Sequence, residues 1–589
     1  MARHADQVVA HLRRYGRSAA NPFPAMASVG IRLKSSMPRM CAPPSSGAYA
    51  CAFRTLLACF VLLFTIASGA SAERCTGCHR DRTAGFSDGH GFGSEQCSTC
   101  HGGDPDAEEA GTAHRDMLRF PGDLASAARV CAPCHADKVA SVSKGLMHTG
   151  AGMIAKTRDV FGEASGDGPP PTFEHLTTSP ADSLLRKLCA SCHLGQEKRQ
   201  HALDPVRDRG GGCLACHING YPDDAHPPLS ARVEDARCFG CHSRSGRISL
   251  SYAGLAEVDG PGVAERAAGR LPDGRLVASL PAGVHHAAGM ACIDCHTGRG
   301  LMGGIGEATY QSDAVDIACE DCHRNRNPWV TLDTWRKNRS ESPPAPPFPV
   351  DDERTFLTTA RGGSVLWHIE LRDDGAYLHR KIRGGRIRIP ELSADNHPPG
   401  GPHERLTCSA CHARWAPRCI GCHVGYDDSE SQWDHVEQSM TPGRWRERRW
   451  DIGTGEPTLG VTAGDRIAPF VPGMILTIED RDTGRSRFQR RFARSAPHTT
   501  GAARSCDSCH ASSETLGLGA GRLEKGDSGW RFTPAHAPAP DGLPADAWTG
   551  FDPGRTGRSS LPGERSLAYD EMVRILEALP LPGAKPDSR

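Results

Sequence analysis

Eleven copies of Cys-x-x-Cys-His are distributed along a chain of 589 residues. In chain order the cysteine pairs are Cys75 and Cys78, Cys97 and Cys100, Cys131 and Cys134, Cys189 and Cys192, Cys213 and Cys216, Cys238 and Cys241, Cys292 and Cys295, Cys319 and Cys322, Cys408 and Cys411, Cys419 and Cys422, and Cys506 and Cys509. The histidines that follow them are His79, His101, His135, His193, His217, His242, His296, His323, His412, His423 and His510. We number these motifs one to eleven. Together they absorb 22 of the 25 cysteines. Any fold of this chain must therefore accommodate the same small unit of two thiols and an imidazole eleven times over.

A lone Cys-x-x-Cys reads as a zinc half-site or a redox dithiol. Neither chemistry requires histidine as the next residue, yet all eleven pairs have it. Cys-x-x-Cys-His is the signature of c-type haem attachment. Both thiols add to haem vinyl groups as thioethers, and the adjacent histidine is placed beneath the iron. Covalent attachment lets a short segment carry a large planar group without a deep pocket, so eleven covalent haems c are expected.

The composition agrees with an interior not filled by side chains. Hydrophobic residues are 38% and aromatics 6%, whereas glycine and proline number 66 and 44. A chain so rich in turn formers is expected to build few long helices or sheets. Small β-hairpins are expected in 355–392 and 470–495. In the first, Val365, Trp367, Ile369 and Leu371 alternate with Leu366, His368, Glu370 and Arg372 ahead of Asp373-Asp374-Gly375. In the second, Met474–Ile478 and Ser486–Phe492 flank Asp482-Thr483-Gly484. Ser566 to Leu579 reads as a short helix capped by Ser566 and stopped by Pro580.

Cys41, Cys51 and Cys59 lie outside the motifs, in an N-terminal region that reads as a targeting segment. Arg54 precedes an apolar run from Thr55 to Ala67, and Ala70-x-Ala72 fits a small-residue cleavage site. The run is shorter than the ~20 residues that a bilayer-spanning helix needs. Cleavage after Ala72 leaves two cysteines per motif and no odd thiol. The mature chain then has 61 basic and 68 acidic side chains, a net charge of −7. No basic stretch points to nucleic acid, and no later apolar run is long enough for a transmembrane segment.

Motif spacing suggests a division into residues 1–72 (extension and signal peptide), 73–153 (three motifs), a linker at 154–180, 181–330 (five motifs), a motif-free insert at 331–407, 408–540 (three motifs and a β insert), and a tail at 541–589. The spacings are irregular, which excludes a fixed-period solenoid.

The sixth iron ligand separates electron transfer from catalysis, because an iron held by two histidines has no open position. The mature chain has fifteen histidines outside the motifs. His90, His114, His148, His175, His201, His226, His285, His397, His435, His498 and His536 are the candidate distal ligands. His286, His368, His379 and His403 make up the rest. Met117, Met147 and Met290 compete with nearby histidines. The run Arg444 to Arg449, with Trp445 and Trp450, reads as a solvated face or an anion or partner site.

The motifs make the chain resemble bacterial multihaem c-type cytochromes of the respiratory type. The opening stretch, Cys75-x-x-Cys-His, His90, Cys97-x-x-Cys-His-Gly-Gly-Asp-Pro and His114, is similar to modules in the octahaem tetrathionate reductase and hydroxylamine oxidoreductase group. The resemblance implies a mostly α and irregular, loop-rich chain organised around a haem wire, in the periplasm or outside the cell. It also implies redox partner proteins, such as a membrane quinol oxidase or an outer-membrane conduit. No Cys-x-x-Cys-Lys, the variant found at the active haem of related nitrite reductases, occurs here. The leading expectation is an electron carrier in respiration. The alternatives are a terminal oxidoreductase for a small nitrogen or sulfur compound at a five-coordinate haem, and a structural subunit of a conduit or filament.

Overall fold

The computed structural model describes residues 73–80, 90, 96–163, 171–199, 208–218, 226–243, 249–324, 329–337, 346–351, 353–393, 397–479, 484–551, 555–559 and 561–578. The expected signal peptide and His201 lie outside them. The described residues form two compact units: 73–119 with His226, and 120–218 with 227–578.

Helix makes up 29% of the described residues and strand 25%, so the fold is mixed α/β and the expectation of a mostly α, irregular chain is overturned. The largest regular piece is a mixed seven-stranded sheet. Its strands are β1 (Cys422–Asp434), β2 (Ser439–Arg448), β3 (Thr458–Val461), β4 (Ile467–Glu479), β5 (Ser486–Arg494), β6 (Arg558–Ser559) and β7 (Arg565–Ser566). The order β2-β1-β4-β3-β7 runs across it, with β5 also paired to β4 and carrying β6. β1 and β4 are parallel, as are β5 and β6, and the other pairs are antiparallel.

The composition misleads here because glycine and proline sit within the strands. The β4–β5 register shifts between Pro472 and Met474. Proline has no N–H to give a ladder, so a bulge falls at that position. Gly443 in β2 has φ +81°, and a Cβ there would lie 1.6 Å from the Tyr426 hydroxyl. The missing side chain lets Tyr426 lie across the hairpin.

Both expected hairpins pair as read locally. Ile369–Arg372 and Gly375–His379 are antiparallel, and Arg386–Arg388 adds a third strand. The segment at 470–495 forms β4 and β5, but as the middle of the large sheet.

Helix α1 (Ala151–Phe161) runs into the expected linker and lays Val160 against Val424, Trp445, Leu476 and Ile478 on one face of the sheet. Elsewhere Ile420, Ala468, Phe470, Phe492 and Trp548 form a core cluster. The Trp548 ring stacks on Phe492 at 4.7 Å, and its Nε1–H donates to the Gly557 carbonyl at 3.0 Å. Helix α2 (Tyr569–Glu577) starts later than expected. Ser566 is in β7, and the cap comes from Glu571, whose carboxylate accepts the Ala568 N–H at 2.8 Å. Among the described residues no helix is long and apolar enough to cross a membrane.

Candidate functional site

Nine of the eleven motifs lie on short α-helical turns. In six of them the histidine N–H closes the turn on the carbonyl of the first cysteine, as in His79 to Cys75 at 2.9 Å and His510 to Cys506 at 2.8 Å. A single turn is the shortest backbone that gathers residues i, i+3 and i+4 on one side. Here it places both thiols beside the imidazole.

Five motif imidazoles are oriented by backbone. Nδ1 of His101 lies 2.6 Å from the Leu118 carbonyl, His217 3.0 Å from Ser230, His323 2.8 Å from Pro390, His412 3.0 Å from Gly501 and His510 2.6 Å from Ile575. A carbonyl only accepts, so each Nδ1 carries the proton and each Nε2 keeps its lone pair. This is the usual second-shell arrangement of a metal-bound histidine.

Seven motif histidines face a histidine from outside the motifs. The ring-centre separations are 5.8 Å for His79–His114, 6.1 Å for His101–His226, 5.2 Å for His193–His148, 6.3 Å for His296–His498, 6.1 Å for His323–His285, 6.1 Å for His412–His397 and 6.0 Å for His510–His403. Two imidazoles bound on opposite sides of one metal, each through a bond of about 2.0 Å, have ring centres about 6 Å apart. Six of the seven pairs match that span. The donor set fits iron between two imidazoles.

Six of the expected distal candidates thus meet a motif: His114, His148, His226, His285, His397 and His498. The seventh partner is His403, which sequence reasoning passed over. It lies five residues ahead of motif nine, but the fold delivers it to motif eleven, and no local spacing signals that. Among the rest, His175, His435 and His536 have other neighbours. His175 Nδ1 is 2.7 Å from the Thr172 hydroxyl. His435 gives its backbone N–H to the Arg186 carbonyl at 3.0 Å, and burial pushes its pKa down. The His536 ring meets Trp450 edge-on at 5.6 Å. His90 is half-buried. His368 and His379 have partners in the hairpin region: His368 Nε2–H donates to the Asp294 carbonyl at 2.8 Å, and His379 Nε2 lies 2.8 Å from Glu370.

Motifs four and ten depart from the common pattern. Motif four is wound as a π turn followed by a 3₁₀ turn. Glu174 Oε1 lies 3.0 Å from His148 Nε2 and 3.2 Å from His193 Nε2, within the tightest of the seven ring pairs. Burial opposes ionisation of Glu174, but both imidazoles hold it below the usual carboxylate range.

Motif ten is extended. Cys419 belongs to strand Ala416–Ile420, and Cys422 and His423 open β1 across a corner at Gly421, φ +67°. Successive strand residues point to opposite faces. Cys422 packs with the Val424 and Trp445 cluster, while His423 Nε2 lies 3.0 Å from Glu479 on the other side. As folded, this corner does not present its second thiol and its imidazole together, and it does not fit a haem held as the other motifs hold one.

The helical motifs are strung together through their thiols. Cysteines of different motifs are neighbours in pairs: Cys131 with Cys213, Cys192 with Cys241, Cys238 with Cys292, and Cys319 with Cys408. In the smaller unit Cys75 and Cys97 are neighbours in the same way. Other bonds follow the same links. The Cys241 thiol donates to the Cys192 carbonyl at 3.6 Å, the Cys292 N–H to Asp235 at 2.7 Å, and the Cys408 thiol to Glu320 at 3.3 Å.

A zinc reading gains no closed cage. Among the described residues, two clusters offer three ligand atoms each: Glu73, Cys75 and Cys97; and His148, Glu174 and His193. A structural zinc site needs four. The arginine run is paired along β2. Arg444 and Arg446 reach Glu430, Arg449 reaches Glu257, and Trp445 is buried with its Nε1–H on Ser183 at 3.1 Å. Comparison of the chain with protein-family models, with curated proteins and with solved structures yields no match.

Proposed function

We propose that the chain is a multihaem c-type cytochrome that carries electrons in periplasmic or extracellular respiration. The observation that carries this reading is the set of seven facing imidazole pairs, each joining one motif histidine to one histidine from outside the motifs. Bound haem supplies one-electron ferric/ferrous chemistry at each motif. The chain holds it through two thiols on a helical turn and an Nε2 lone pair fixed by a backbone carbonyl on Nδ1.

A histidine on each side leaves no position for substrate at the paired motifs, which favours transfer over turnover. Motif ten joins the set only when His423 turns out of β1. Electronic absorption and electron paramagnetic resonance of the purified protein test the reading. The expected spectra are those of low-spin haem with two imidazole ligands. A protein that shows no haem absorption after expression in a host able to attach haem c overturns it.

A further inference from the structure

The thiol contacts fix more than the presence of a haem array. They give its connectivity, which the order of motifs along the chain does not. Motif five meets the segment that leads into motif three, where the Cys213 N–H donates to the Gly122 carbonyl at 2.9 Å, and Cys213 neighbours Cys131. The turns of motifs five and six pack together. Motif six touches motif seven through Cys238, Cys292 and Asp235. Motifs seven and eight share Lys381, whose ammonium is held by the Ile293 carbonyl and faces both Cys295 and Cys322. His285, ahead of motif seven, supplies the ring opposite His323 of motif eight. Motif eight touches motif nine through Cys319, Cys408 and Glu320. Motif nine accepts the Arg504 N–H on the Cys411 carbonyl at 2.9 Å, two residues before motif eleven. Motif four lies to the side, where Cys192 meets Cys241 of motif six and the Leu194 carbonyl accepts the Gly212 N–H, next to motif five, at 3.1 Å.

We infer that the haems of the larger unit form a branched array, with a main line three–five–six–seven–eight–nine–eleven, and motif four beside it, in contact with motifs five and six. The inference rests on the proposed haem function. Motif six is the junction: it contacts motifs four, five and seven. Electrons entering at motif three or motif four reach motif eleven only through it. Each hop oxidises one ferrous iron and reduces its ferric neighbour, so no chemistry beyond the haems is needed along the line. Because five contacts six directly, the line bypasses motif four.

Flash photoreduction of the full-length protein tests this. All native cysteines of the motifs are thioethers in the haem-loaded protein, so Asp137→Cys, exposed beside motif three, takes a ruthenium photoreductant at one place. His403→Met gives the haem of motif eleven a methionine ligand, which raises its potential and gives it a distinct spectrum. In this background, electrons released near motif three are read as they arrive at motif eleven.

Removing the motif-six haem with Cys238→Ala and Cys241→Ala is expected to slow arrival by orders of magnitude. Removing the motif-four haem with Cys189→Ala and Cys192→Ala is expected to leave the arrival rate unchanged. Because a missing haem also disturbs folding, the motif-four variant, with the same lesion one motif away, is the control, and the haem count of each variant is read from its mass. Arrival that is insensitive to loss of the motif-six haem, or slowed as much by loss of motif four as of motif six, overturns the branched order. Absence of haem from the parent protein overturns the function itself, and is read from its mass before any kinetics.

Discussion

The ring of His403 stands 6.0 Å from that of His510, and the Nδ1–H of His510 is held at 2.6 Å by the Ile575 carbonyl on α2. One end of this arrangement comes from the segment before motif nine and the other from the C-terminal helix. The pair is therefore made by tertiary structure alone. His403→Ala is expected to leave the haem of motif eleven with one protein ligand. The oxidised variant should gain one high-spin ferric signal, and the reduced variant should bind one equivalent of carbon monoxide. An unchanged low-spin spectrum would remove His403 from the ligand set.

His368 provides the contrast. It is almost fully buried, and burial pushes its pKa down to about 3, so it is neutral. Its Nε2–H is used on the Asp294 carbonyl. His368→Ala should leave every haem spectrum unchanged. It should lower stability by about 1–3 kcal/mol, because a buried carbonyl loses its donor. Paired denaturation curves and resonance spectra separate this structural role from ligation.

Acid should loosen the C-terminal helix. Burial opposes ionisation of Glu571, but hydrogen bonds from Arg565 and the Ala568 N–H, with Arg405, more than offset it and bring the carboxyl down to about 2. A carboxyl with a depressed folded pKa gives its full stabilisation above the ordinary unfolded value of about 4.3. That stabilisation is lost as pH falls through the folded value. Glu571→Gln is expected to cost on the order of 2 kcal/mol at neutral pH. The gap between wild type and variant should close between about pH 4 and pH 2, as read from thermal unfolding.

Trp548 is fully buried against Phe492 and Phe470, where β4 and β5 meet the C-terminal segment. Trp548→Ala should destabilise the larger unit by about 3–5 kcal/mol through the cavity it leaves. Trp548→Phe should cost less, because the stack is kept while the bond to Gly557 is lost. Chemical denaturation of both variants measures the difference.

The gathering of two thiols beside an imidazole on the helical motifs was legible in the sequence because that spacing is local. The ring partners were legible where a histidine lies a short loop from some motif, as with His114, His148 and His397. Which motif each one serves was not, since His498 faces motif seven and His403 faces motif eleven. The sheet was hidden for a related reason. β1 and β2 carry Gly425, Gly443 and charged residues that strands usually lack, and they are held by pairing and by Trp445 at long range. Only the Ile369–Arg372 hairpin and the β4–β5 hairpin announce themselves by alternation.

Covalent haem at these motifs is the proposal on which the other predictions depend. Intact mass spectrometry of the mature protein, with haem quantified by absorption, tests it most directly. The predicted result is the mass of the chain from Glu73 plus eleven haems, with haem-bearing peptides at each Cys-x-x-Cys-His. A mass with bound zinc, or with fewer than ten haems, would contradict it.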